Sequence, residues 1–110
     1  MNREFILKHT GDYQENLIKR LRDPELAQAY LEAAIESYEE DGDTECLLLA
    51  MRDVAKAQGD VGELASRTGI SRQHLYNVLA SKYHPPLDHL LNILSALGFR
   101  VRLERQDVTI

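Results

Sequence analysis

The chain has 110 residues, 44% of them hydrophobic, and a net charge of −5. That length and apolar share predict a single domain with one compact core. A lone cysteine, Cys46, excludes an intramolecular disulfide, and the N-terminus MNREFILKHTGDYQEN has neither a signal peptide's apolar core nor a membrane-spanning run, so the expected setting is soluble and cytoplasmic.

Net acidity argues against a nucleic-acid partner, but the charge is unevenly spread. From Met1 to Glu45 five bases face twelve acids, a net of −7. From Cys46 onward eight bases face six acids, a net of +2. Between Leu64 and Val101 the single acid is Asp88, alongside Arg67, Arg72, Lys82 and Arg100. The back half can therefore face phosphate without repulsion.

Leu17, Ile18 and Leu21 predict a short helix from about Asp12 to Arg22. Asp23-Pro24-Glu25 then reads as a helix start: a capping acid, a first-turn proline, and an acid at the positive helix end. Leu26, Ala29, Tyr30, Ala33, Ala34 and Tyr38 follow at helical spacing down to the acidic stop EEDGD. Asp41, Asp43 and Glu45 alternate like the start of a calcium loop. Such a loop needs glycine where Cys46 stands and glutamate where Arg52 stands, so a solvated turn is the better reading. Asp43 or Thr44 caps a third helix, TECLLLAMRDVAKAQG, in which Cys46 sits among leucines and is expected to be a core thiol.

Asp60 and Glu63 have the form of a capping box opening the segment VGELASRTGISRQHLYNVL. Ser71 caps its second half. Pro85 and Pro86 close the loop SKYHPP and can begin a helix but not continue one. The last helix, LDHLLNILSALG, carries Leu87, Leu90, Leu91, Leu94 and Leu97 and stops at Gly98. Beyond it FRVRLER alternates Phe99, Val101 and Leu103 with Arg100, Arg102 and Glu104, a period of two that predicts a short strand.

Counted from Val61 as position one, Ala65 falls fifth, where two crossing helices leave room only for a small side chain. Gly69 falls ninth, where the turn requires a left-handed backbone. Leu64, Ile70, Leu75 and Val78 fall where both helices need apolar contacts. This is the pattern of a helix–turn–helix, whose second helix presents its start and polar face to a DNA major groove. Arg72, Gln73 and Asn77 are the expected base readers, since arginine pairs with guanine O6 and N7 and the amides with adenine N6 and N7. Ser71, Arg67 and Lys82 are the expected phosphate contacts.

These residues resemble the helix–turn–helix of the lambda-repressor-like (Xre) family. More narrowly, the run from Asp23 to Gly98 resembles addiction-module antidote proteins, the HigA-like antitoxins. Shared features are a capped Ala/Leu-rich helix, an acidic turn, and successive motifs like LRDVAxAQG, LAxxTGLSRExLYxxL and NPTLxTLLxxLxALG. Tyr83-His84-Pro85 replaces the usual Gly-Asn-Pro, and the segment through Arg22 replaces a short arm. The resemblance and the pattern of elements together give the expected fold, an all-α, lambda-repressor-like bundle of five to six helices with a short C-terminal β-strand. The resemblance also implies a repressor of its own operon that binds double-stranded operator DNA and neutralises a small basic RelE/HigB-like toxin, with Arg72, Gln73 and Asn77 on bases and Ser71 and Tyr76 near phosphate; the expected state is a homodimer.

The expected division is a single domain over 1–110: arm or short helix 1–22, helical support 23–58, helix–turn–helix core 59–98, and tail 99–110. The tail strand has three readings: pairing across a dimer two-fold, an edge offered to a toxin, or an in-chain cover for the last helix. Cross-dimer pairing is preferred, because a lone strand needs a partner for its backbone groups. His9, His74, His84 and His89 have no cysteine or carboxylate at ligand spacing, so no metal or other cofactor is expected. No phosphate loop or nucleophile elbow is present, and no enzyme is expected. The alternatives to an antitoxin are a stand-alone regulator without a toxin and a protein-interaction module on the same scaffold.

Overall fold

The computed structural model describes residues 13–80 and 84–107. Six helices follow one another: α1 (residues 13–20), α2 (Pro24–Asp41), α3 (Thr44–Gln58), α4 (Val61–Thr68), α5 (Arg72–Leu79) and α6 (Leu87–Ala96). Among the described residues there is no strand, and no helix is long and apolar enough to cross a membrane.

The helix starts follow local chemistry. Asp23 accepts from Glu25 N at 2.9 Å ahead of Pro24. Asp43 accepts from Cys46 N at 3.2 Å, Asp60 from Glu63 N at 2.7 Å, and Ser71 from His74 N at 3.2 Å. Each cap satisfies an amide that the helix itself leaves without a partner.

Helix α3 is the hub, packed against α2, α4 and α5, while α4 also packs on α5 and α6. Leu48, Met51 and Val54 of α3 meet Leu64, Leu75, Val78, Leu79 and Ile93, all essentially without solvent contact. A fully enclosed leucine or isoleucine truncated to alanine costs about 2–5 kcal/mol, so these positions dominate the stability.

A polar knot ties the front of the molecule to this hub. Asp53 on α3 is buried and accepts from Tyr30 Oη on α2 at 2.8 Å and from Gln14 Nε2 on α1 at 3.0 Å. Burial, the hydrogen bond to Asp53 and the Asp53 charge push the Tyr30 phenol well above its ordinary range, so it stays protonated and donates. This knot and the buried Leu21 anchor α1.

Four expectations need correction. On α2 the buried stripe is Ala27, Leu31 and Ala34, with Tyr30 half-buried, while Leu26 and Tyr38 are exposed. Cys46 is exposed, not a core thiol, because it falls outside the arc that Leu48, Met51, Val54 and Ala55 turn toward the core. On α6 the core takes Ile93, Leu94 and Leu97, leaving Leu87 and Leu91 in solvent.

The fourth concerns the tail. Helix α6 ends in a Schellman turn, with Phe99 N donating to Leu94 O at 2.9 Å and Gly98 N to Ser95 O at 3.0 Å around the left-handed Gly98. Phe99 folds back on the core, and 100–107 runs out exposed and without regular structure, not as the expected strand. The reason is physical: a strand is defined by a second backbone about 4.8 Å away, and the described chain offers it none.

Candidate nucleic-acid interface

The turn between α4 and α5 adopts the geometry its residues predict. Gly69 has φ of +75° and donates to Ala65 O at 3.0 Å, ending α4 in a left-handed residue. Ala65 is buried where the two helices cross, and Ile70 packs on the core. Thr68 Oγ1 donates to Ala65 O at 3.1 Å and accepts from Ile70 N at 3.1 Å, fixing the chain as it turns.

Helix α5 is divided along its length. Leu75, Val78 and Leu79 are buried, while Arg72, Gln73, Tyr76 and Asn77 face solvent together with the cap Ser71. Their spacing of one, four and five residues puts them on one face of the helix. The first turn of α5 contains no acid, so its amide end keeps its positive character. Five of the seven sequence-predicted residues therefore share one exposed surface. Arg67 is exposed on the last turn of α4, and Lys82 lies outside the described residues.

Contacts within that face restrain its side chains. The Arg72 guanidinium lies over the Tyr76 ring, 6.0 Å from its centroid. The same guanidinium borders Gly62 at the start of α4, where a Cβ would stand 3.6 Å from Arg72 Cζ and 3.3 Å from Asp60 Oδ1. Gln73 Nε2 donates to Asn77 Oδ1 at 3.4 Å. Chemically the surface offers a bidentate cationic donor and two amides, each amide both donor and acceptor.

Three supports behind the face were not expected from the sequence. Asn92 Nδ2 on α6 donates to Thr68 O at 2.8 Å, gripping the turn itself. His74 Nε2 on α5 meets His89 Nδ1 on α6 at 3.4 Å, the rings edge to face. Gln58 Nε2 donates to Leu97 O at 2.7 Å, joining the end of α3 to the end of α6. Elsewhere His84 Nδ1 and Thr44 Oγ1 lie 3.1 Å apart, and among the described residues no group of three or more His, Cys, Asp or Glu side chains could hold a metal ion.

A family described as "probable addiction module antidote protein" matches residues 13–105, from the first described helix to the exposed tail. No curated protein and no solved structure matches the chain. With most of its length matched, the chain belongs to the addiction-module antidote family.

Proposed function

We propose that the chain is the antitoxin of a toxin–antitoxin module and represses its own operon by binding operator DNA as a homodimer through α5. Family membership supports the antitoxin role and implies a toxin partner. The observation that carries the DNA reading is the single exposed face of α5, with Arg72, Gln73 and Asn77 side by side above a buried apolar base. Arg72 serves as a guanine reader, Gln73 and Asn77 as adenine readers, and Ser71, Tyr76, Arg67 and Lys82 as phosphate contacts. The exposed Leu87, Leu91, Val101 and Leu103 support a second copy of the chain, since apolar side chains in water favour association. Two copies would read a palindrome with half-sites about 34 Å apart.

The two roles separate in one cellular experiment. The chain is expressed beside a reporter driven by its own promoter and beside the protein of the adjacent reading frame. The wild type represses the reporter and rescues growth from the neighbouring protein. Arg72→Ala loses repression and keeps rescue. A chain that represses but rescues nothing is a stand-alone regulator, and one that leaves the reporter untouched does not act through α5.

A further inference from the structure

A groove of about 780 Å³ runs between α2 and the C-terminal tail, away from the α5 face. Glu32, Glu36 and Glu39 line its α2 wall, and Arg100, Arg102, Glu104 and Arg105 line the facing, net-basic wall. Among the described residues no ion pair joins the two walls. From Arg100 to Asp107 no described main-chain group is hydrogen-bonded, and Leu103 is 99% exposed.

We propose that this groove receives the tail of a second copy, paired antiparallel with the first, so that the second copy's arginines meet α2's glutamates. The proposal rests on the homodimer reading above and gives it a surface. An extended backbone with free N–H and C=O groups is a template for another strand, and pairing satisfies both chains at once. A two-fold contact places the same patch on both copies, so the patch must complement itself. One with an acidic α2 wall and a net-basic tail does.

The spacing agrees as well. Four residues of α2 advance about 6.0 Å, and two residues of strand about 6.6 Å, so the second copy's Arg100 and Arg102 keep step with Glu32 and Glu36. The same pairing leaves α5 free. The proposed DNA interface is incomplete without it, because one α5 reads one half-site.

Sedimentation of the full chain at low salt, ~50 mM, tests this directly, because screening is weak there. The wild type sediments as a dimer, twice the 12.6 kDa of the chain. Two charge-reversed chains are compared with it: Glu32→Arg with Glu36→Arg, and Arg100→Glu with Arg102→Glu. Each alone sediments as a monomer with an unchanged helical circular-dichroism spectrum, its dimer weakened by at least about tenfold through like charges. An equimolar mixture returns to dimer, since each groove then meets a tail of opposite sign.

Dimers that survive both reversals overturn the proposal and move the contact elsewhere, to Leu87 and Leu91 for example. A mixture that stays monomeric overturns it, as does a monomeric wild type whose groove instead takes up the purified protein of the adjacent reading frame. The DNA reading is judged separately on a half-site duplex: reversed monomers that bind it with wild-type preference leave α5 as the reader, whatever the sedimentation result.

Discussion

Arg72 is where a single side chain bears most on the proposed function. It is exposed, restrained by the Tyr76 ring and bordered by Gly62, so little rotamer freedom remains to be lost on binding. Arg72→Ala should cost about 1–3 kcal/mol on operator DNA and relax selectivity at one base pair, as a lost bidentate guanine contact does. Equal weakening on operator and random duplexes would make it a phosphate contact instead. Tyr30 gives a pH prediction with a definite sign. Its proton is held in the folded chain above the ordinary value of 10.0, so the unfolded chain ionises first as pH rises. Its contribution to stability is complete below that value and is lost above it. Urea unfolding across this range should show a shallower decline for Tyr30→Phe than for the wild type. At neutral pH the same variant should be about 1–2 kcal/mol less stable, because Asp53 loses a donor. The caps Asp23, Asp43, Asp60 and Ser71 were legible in the sequence because capping is settled within four residues. The Tyr30–Asp53 and His74–His89 pairs were not, since partners 23 and 15 positions apart meet only once the helices dock.

At the scale of elements, the turn between α4 and α5 is the most constrained piece. Gly69 has open space where a Cβ would go, so Gly69→Ala tests backbone conformation alone. It should destabilise by about 1–2 kcal/mol in urea unfolding, the cost of a left-handed alanine. A neutral result would mean the turn relaxes without loss. Legibility differs from helix to helix for a physical reason. In α4 and α5 the apolar residues admit one inward face, and the structure keeps it. In α2 alanine and leucine are dense enough to offer two overlapping stripes. The choice of Ala27, Leu31 and Ala34 over Leu26 and Tyr38 is made by the surface of α3, which no local pattern encodes. Leu87 and Leu91 fit the apolar period of α6, but the core closes around Ile93, Leu94 and Leu97 before reaching them. The tail shows strand alternation without strand structure, because pairing depends on a second backbone and not on the sequence of the first.

Over the whole molecule, the buried cluster joins the acidic front half to the neutral-to-basic back half through α3. Ile93, with no solvent contact, packs the last helix into that cluster. Ile93→Ala should cost about 2–5 kcal/mol, and α5, which leans on α6 through His74, should lose operator binding along with stability. The central claim is that the face of α5 selects the chain's own operator. Fluorescence anisotropy measures this most directly, with duplex from upstream of the gene and a shuffled duplex of equal length, each at two salt concentrations. The face of α5 should give a preference of about a thousandfold or more for the native duplex, with affinity falling steeply as salt rises. Equal and weak affinity for both duplexes would contradict it and leave the helix–turn–helix as scaffold.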